Sequence, residues 1–277
     1  MKKTSNQIIL VTGSTDGIGK LTALKLAGQN SQVIIHGRNK EKTESVVKEL
    51  KEKSGNDSLE GYVADFSSLR EVRDFAEKIS NTYPKLDVLI NNAGAGYTAS
   101  RYSRDGYELR FAVNYLAPFL LTKLLIPVLI KAAPSRIVNV SSVGQHSINF
   151  DDVMQQKNFN AVTAYSQSKL ALIMFTFDLA NELKDKNITV NSLHPGTYLN
   201  TKMVTDAGIN PLGDPESGAE AEVFLATDKS LEDVTGKYFN VKKESKAQGQ
   251  AYEEEARRKL TEITIKLIKA VLPEQNM

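Results

Sequence analysis

The sequence predicts an α/β fold, a doubly wound parallel sheet with helices on both faces. Two observations predict it. Short apolar runs alternate with helical patterns through the first two-thirds of the chain, and a cluster of glycines directly follows the first run. Strands buried on both faces read as continuous apolar runs, as these do.

The first strand is expected at residues 8–11, Ile-Ile-Leu-Val, with a helix over 17–27. A second run at 33–35 leads to a helix over 40–51, and a third at 59–63 to one over 69–81. The fourth run, 86–90, precedes a long helical pattern over 105–132. The fifth, 137–140, precedes a helix over 163–183, and the sixth occupies 188–193. Beyond Pro195 the pattern loosens. Residues 196–218 hold Pro211, Pro215 and several Gly and Asp, which marks a loop. A helix over 216–226 and a last strand over 236–241 follow. The tail, 250–272, is expected as one helix with Leu260, Ile263, Leu267 and Val271 in a stripe.

At 277 residues the chain is long enough to bury roughly three-quarters of its unfolded surface. No linker or repeat interrupts it, so it reads as a single domain over 1–277 with a C-terminal helical extension. There is no cysteine, which excludes thiol catalysis, disulfides and Cys-ligated metal. The three histidines, His36, His146 and His194, are far apart and lack carboxylates at ligand spacing, so no metal site is expected. A net charge of +2, alternating in sign along the helices, argues against a nucleic-acid surface. Met1-Lys2-Lys3 starts like a signal peptide, but Gly13 and Asp16 end the apolar run too early. Residues 120–130 contain Lys123 and Pro127 and read as a buried helix. The expected location is the cytoplasm.

Thr12-Gly13-Ser14-Thr15-Asp16-Gly17-Ile18-Gly19 lies between the first strand and first helix. Rossmann-type folds bind a pyrophosphate there: glycines permit a tight turn, and the phosphates approach the backbone at a helix N-terminus. The rival reading, a Walker A loop, requires Gly where Ser14 stands and Ser or Thr where Leu21 stands. The second strand should end near an adenosine ribose. No carboxylate stands there; His36-Gly37-Arg38-Asn39 offers an Arg fork suited to a 2′-phosphate, which favours NADP(H) over NAD(H). The alternative is an ordinary solvated Arg38 opening the next helix.

Tyr followed four residues later by Lys occurs three times, as Tyr165/Lys169, Tyr198/Lys202 and Tyr238/Lys242. Only Tyr165 lies in a helical pattern, where the two side chains share a face. Tyr198 follows Pro195-Gly196, and Tyr238 sits in a strand-like run.

Together these residues resemble the short-chain dehydrogenase/reductase family over roughly residues 6 to 240. The glycine segment resembles that family's Thr-Gly-x-x-x-Gly-x-Gly, Val63-Ala64-Asp65-Phe66 its adenine segment, and Asn91-Asn92-Ala93-Gly94 its most recognisable tetrapeptide. Asn114, Ser142, Tyr165 and Lys169 match its catalytic residues, and Pro195-Gly196 the segment beside the nicotinamide. Arg136-Ile137-Val138-Asn139-Val140-Ser141-Ser142 and His194-Pro195-Gly196-Thr197 are similar to retinol-dehydrogenase-like members. The resemblance implies cofactor contacts at Gly13 to Gly19, Arg38, Asn39, Asp65, Phe66, Asn92, Ala93, Gly94, Asn114, Tyr165, Lys169, Pro195, Gly196 and Thr197. The family's usual Thr after Pro-Gly appears about one position late, at Thr201, so Thr197 and Thr201 both stand as its counterpart.

The implied activity is hydride transfer between NADP(H) and a carbonyl/alcohol pair. Tyr165 is then the proton donor or acceptor, its phenol lowered by the Lys169 ammonium and by the positive nicotinamide of the oxidised cofactor. Ser142 donates to the developing alkoxide. Asn114 helps position a water that connects Lys169 to solvent. The loop over 196–218 covers the substrate mouth. Tyr198, Leu199, Met203 and Val204 would line that mouth, with Ala95, Gly96 and Tyr97 opposite and Phe150, Val153, Met154 and Phe159 as a third wall; an apolar substrate would suit it. His146 either lines the mouth or is a solvated loop residue. Two other readings stand beside this one: a catalytically idle NADP(H)-binding sensor, and a peripheral membrane protein. In the latter, Arg257, Arg258, Lys259, Lys266 and Lys269 flank the apolar stripe of the tail. The tail packing across the mouth or a subunit interface of a homo-oligomer is the alternative to membrane contact.

Overall fold

Eight strands form one sheet in the order β3-β2-β1-β4-β5-β6-β7-β8 in the computed structural model, which describes residues 7–275. The N-terminal Met1-Lys2-Lys3 lies outside the described residues. The strands are β1 Ile8–Val11, β2 Gln32–Gly37, β3 Leu59–Val63, β4 Val88–Asn91, β5 Ser135–Val140, β6 Ile188–His194, β7 Lys237–Asn240 and β8 Lys243–Ser245. All pairings are parallel except β7 with β8. Strand order reverses between β1 and β4, and doubly wound sheets hold ligands at that switch point, beyond the strand C-termini. Gly13, Asn92, Ser142 and Pro195 all follow the C-terminal end of a strand on that side.

Helices α1 Gly17–Ala27, α2 Lys40–Ser54, α3 Leu69–Thr82, α4 Leu109–Phe111, α5 Ala117–Ala132, α6 Ala161–Glu182, α7 Lys202–Thr205, α8 Pro215–Thr227 and α9 Glu254–Val271 complete the fold. On one face Ala23, Leu26, Val46, Leu50, Ala221 and Leu225 bring α1, α2 and α8 onto the sheet. On the other, α3, α5, α6 and α9 build a larger core around Phe75, Leu120, Ile173 and Leu260. Capping side chains set the helix starts. Asp16, Asn39, Asn160 and Asp214 accept from the first-turn amides of α1, α2, α6 and α8. At its other end α2 stops at Gly55, in the left-handed region with φ 68.

Three expectations need correction. The pattern over 105–132 is not one helix. The Asp105 side chain accepts from Leu69 N at the start of α3, Gly106 has φ 80, and Glu108 caps α4. A π-turn over Ala112–Leu116 then joins α4 to α5. The apolar span Leu109–Ala132 has the length and composition of a membrane helix, yet 67% of its most apolar window is buried inside the protein.

The tail is likewise divided, into a short 3₁₀ turn at Gly249–Tyr252 and α9. Its buried stripe is Ala256, Leu260, Thr264 and Ile268, each four apart; of the expected stripe Leu260 is fully buried, and Leu267 and Val271 pack at its flank, partly buried. Small Ala256 and Thr264 allow a close approach, and Thr264 hydrogen-bonds the buried Tyr115 hydroxyl at 2.8 Å. Arg257 pairs with Asp178 of α6 at 2.6 Å. The tail therefore packs on its own chain. Finally, β8 escaped the sequence reading because Lys243, Glu244 and Ser245 are all exposed and carry no apolar alternation.

Candidate active site

The glycine turn after β1 is knitted to the segment after β4. Asn92 N and Ala93 N both donate to Thr12 Oγ1 at 3.0 Å, and Asn92 Nδ2 donates to Thr12 O at 2.8 Å. Gly13 has φ 65, and a Cβ on it would stand 2.7 Å from Ala93 Cα; one on Gly19 would stand 2.2 Å from Asn92 Nδ2. Both glycines are therefore required by close approach. The result is a backbone-lined cradle at the N-terminus of α1, the geometry that suits a pyrophosphate.

The flanking residues divide into two kinds. Ser14 is fully buried, donating to Val11 O and accepting from His36 N, so its role is to shape the turn. Thr15 packs against Gly37, where a Cβ would meet its Cγ2 at 2.5 Å, and Ile18 packs beneath Gly218. Asp16 pairs with Lys42 at 2.5 Å, which helps hold its carboxyl below the usual range although burial opposes this. Arg38 is exposed beside Asn39, the cap of α2, and has no carboxylate partner among the described residues. Asp65 accepts from Ser67 N at 2.9 Å. The Phe66 ring is not free for an adenine: it is buried and stacked on His36, centroids 4.2 Å apart.

Sequence reasoning missed His36. Its Nδ1 accepts from Gly13 N at 3.0 Å, and its Nε2 meets Ala64 O at 3.0 Å. Because Gly13 N–H can only donate, Nδ1 carries no proton and Nε2–H donates to Ala64. One neutral imidazole thus ties the phosphate turn to the segment after β3, and burial pulls its pKa down to about 4. A lone histidine gives no such signal in sequence; only the strand register brings it to Gly13.

At the other side of the cleft, α6 presents Tyr165 and Lys169. Lys169 is buried and its Nζ donates to Val140 O at 2.8 Å, at the end of β5. A Cβ on Gly94 would stand 3.7 Å from that Nζ and 3.4 Å from Asn114 Oδ1, so the glycine keeps the space between the two segments open. Around Gly144 a Cβ would find Ser142 Oγ at 3.4 Å and the Tyr165 ring at 3.9 Å, which places hydroxyl and phenol side by side. Asn114, in the π-turn, has its amide committed: Oδ1 accepts from Ala95 N at 2.7 Å, and Nδ2 donates to Ala95 O and Ser168 Oγ.

Burial lowers Lys169 to about 8, opposed by the Glu222 carboxylate, and pushes the Tyr165 phenol up to about 12, opposed by Ser142. In the protein alone, burial outweighs the lowering expected of Lys169. Desolvation dominates here, and the Lys169 Nζ stands 5.7 Å from the Tyr165 ring centroid.

Comparison with known proteins agrees with this geometry. The short chain dehydrogenase family model matches residues 7–210. The chain belongs to the short chain dehydrogenase family. It is 37% identical to human retinol dehydrogenase 13, covering 94% of this chain and 84% of that one. It is 35% identical to human polyprenol dehydrogenase, covering 92% and 83%. Among solved structures, a short chain dehydrogenase from Escherichia coli CFT073 complexed with NADPH superposes with a TM-score of 0.71 at 29% identity, covering 86% of this chain and 97% of that one. The chain is thus an oxidoreductase of the retinol-dehydrogenase-like kind that works with a nicotinamide cofactor and a small-molecule substrate.

In this dehydrogenase the segment after β6 folds over the cleft. Pro195 is buried, and Gly196 has φ 147. Thr197 is tied to His194 Nε2 at 3.1 Å, whereas Thr201 lies beside Gly17, 3.5 Å from where a Cβ would stand. Leu199 is not a mouth residue. It is buried in a socket of Gly196, Gly213 and Gly218, each of which would clash with it on gaining a Cβ, at 2.9, 3.0 and 2.7 Å. Tyr198 and Met203 remain exposed, with Met203 resting on Gly96.

The proposed third wall is also corrected. Phe150, Val153 and Met154 pack on the main core, and Phe159 lies against Arg101 and Arg110. His146 is exposed and lines a polar cleft of about 420 Å³ with Asn149, Asp151 and Gln167. That cleft meets α6 at Thr163 and Gln167, on the side away from Tyr165.

Proposed function

We propose that this dehydrogenase interconverts an apolar aldehyde or ketone and its alcohol, using NADP(H), with Tyr165 as the proton-transfer group. The observation that carries the reading is the gathering of the Tyr165 phenol and Ser142 hydroxyl, beside Gly144, and the Lys169 ammonium, beside Gly94, beyond the C-terminal end of β5. When bound, the nicotinamide supplies or takes the hydride. The close-packed turn at Gly13 and Gly19, at the N-terminus of α1, and the space kept at Gly94 fit such a cofactor.

A phenol held up to about 12 is fully protonated at neutral pH and ready to donate to a carbonyl oxygen. Ser142 Oγ beside it donates to the same oxygen as charge develops there. Lys169 would hold the ribose hydroxyls with the N–H groups not spent on Val140 O, and its positive charge would stabilise the phenolate left once Tyr165 has given up its proton. Asn114 orders Ala95 and Ser168, and through them the walls on both sides of Lys169. Exposed Arg38, with no carboxylate partner among the described residues, supports 2′-phosphate recognition, as does the NADPH bound in the E. coli relative. Tyr97, Tyr198 and Met203 at the mouth support an apolar substrate, and two relatives bear the names of dehydrogenases of lipophilic alcohols. Action in the cytoplasm belongs to the same proposal; cell fractionation tests it.

The reading is tested by following reduced-nicotinamide absorbance with a panel of aldehydes and ketones. Turnover should rise with aliphatic chain length. Tyr165→Phe should lower it about 10²–10⁴-fold while NADPH binding persists, since the phenol supplies a proton and not the cradle. Binding of NADPH with no turnover of any carbonyl would favour the idle sensor instead.

A further inference from the structure

Arg110, the second residue of α4, is 1% exposed, and so is its ion-pair partner Glu108 at 2.5 Å. A fully buried pair of charges costs desolvation, and its return is geometric definition. What it defines here is the segment after β4. Arg110 Nη2 donates to Tyr97 O at 3.1 Å and Ala99 O at 2.8 Å, and Nη1 donates to Ser100 O at 3.3 Å. Those carbonyls lie in a loop with no regular ladder to accept from, and one planar guanidinium satisfies all three.

The clamp reaches a second segment. Phe159, just before α6, lies 5.3 Å from the Arg110 Cζ and 4.8 Å from that of Arg101, and Arg101 Nη2 donates to Gln155 O at 3.0 Å. The product of this clamp is the place of one side chain. The Tyr97 ring stands edge-on to Tyr165, with centroids 4.9 Å apart and planes at 67°. Tyr97 is half-buried, and burial raises its phenol. The Tyr97 ring thus borders the Tyr165 ring at the cleft, where a substrate reaching the Tyr165 hydroxyl would meet it.

We infer that Tyr97 is a specificity-determining wall that orients the substrate against Tyr165, and that Arg110 is the positioning residue that sets it there. The inference rests on the oxidoreductase reading above. It also explains why Phe159, expected at the mouth, lies against the two arginines. Its contribution to specificity is indirect, through the loop that carries Tyr97.

Steady-state kinetics on the intact chain test it, using the aldehyde that wild type turns over best, with NADPH dissociation constants measured by fluorescence. Arg110→Met would strand the Glu108 charge in the core, so Arg110→Lys is the variant of choice: it keeps the charge and loses the fork. Tyr97→Ala should lower kcat/KM about tenfold, mainly through KM, with NADPH affinity unchanged within about twofold, the pattern of a lost substrate contact. Tyr97→Phe should restore wild-type KM, because the ring and not the hydroxyl is the wall. Arg110→Lys should reproduce the Tyr97→Ala defect. The double variant should be no worse than the poorer single within about twofold, since both act through one contact. An unchanged KM in Tyr97→Ala overturns the proposal. So do multiplicative effects in the double variant, or an equal loss of NADPH affinity in Arg110→Lys. An inactive wild type that still binds NADPH overturns the underlying reading and the proposal with it.

Discussion

The Tyr238 hydroxyl donates to the main-chain carbonyl of Ser142 at 3.0 Å. The last parallel strand, β7, therefore holds the backbone of a proposed catalytic residue on β5's loop, across the intervening β6. Gln145 Nε2 donates to the same carbonyl at 2.8 Å. Tyr238→Phe should leave that second donor and the fold in place. Losing one buried hydrogen bond of about 1 kcal/mol should lower kcat about fivefold, with cofactor affinity unchanged. Stopped-flow and steady-state rates check this; wild-type kcat in the variant would show that Ser142 needs no support from β7.

Arg38→Ala should discriminate the cofactors. A charge-assisted contact to a 2′-phosphate contributes on the order of 1.5–3 kcal/mol, so NADPH affinity should fall roughly ten- to hundredfold. NADH affinity should barely change. Equal losses for both would remove Arg38 from phosphate recognition.

Carbonyl reduction should be level from pH 6 toward neutrality and decline as pH rises through about 8. Lys169 loses its charge there in the free enzyme, while Tyr165, at about 12, is still protonated. The pH dependence of kcat/KM reports free-enzyme groups and is the measurement to make. Lys169→Arg should remove that alkaline limb, because guanidinium does not titrate in the range.

Acid should destabilise the fold through His36. Its folded pKa, about 4, lies below the ordinary 6.5, so the unfolded chain binds the proton more readily between those values. Stability from this group is complete above pH 6.5 and is lost as pH falls toward 4, at about 1.4 kcal/mol per pH unit. His194, also lowered to about 4 by burial, adds to the same slope. Urea midpoints at pH 5 and pH 7 check it. His36→Asn, which keeps an acceptor for Gly13 N–H, should flatten the dependence; an unchanged slope would show that the imidazole is not the titrating group.

Much of this was legible in the sequence because it depends on local patterns. β1 and α1 fall where the run Ile8 to Val11 and the glycines place them, since a strand buried on both faces must be apolar and a tight turn needs glycine. Tyr165 and Lys169 could be paired by counting four residues along a helix, and the other two Tyr/Lys pairs dismissed for want of one. What the sequence could not determine depends on residues far apart in the chain. His36 touches Gly13 only through the pairing of β1 with β2, and Tyr238 reaches Ser142 only across β6. Whether Phe150, Met154 and Phe159 face a substrate or the core is equally silent in their hydrophobicity, which measures the tendency to leave water and not the surface that receives them. Desolvation of Tyr165 belongs to the same class. The spacing to Lys169 is local, but the burial that overrides it is set by every element closing around the cleft. The sequence by itself determined the alternation of elements and the proposed chemical groups; the tertiary structure decided which side chains meet and how much water is left between them.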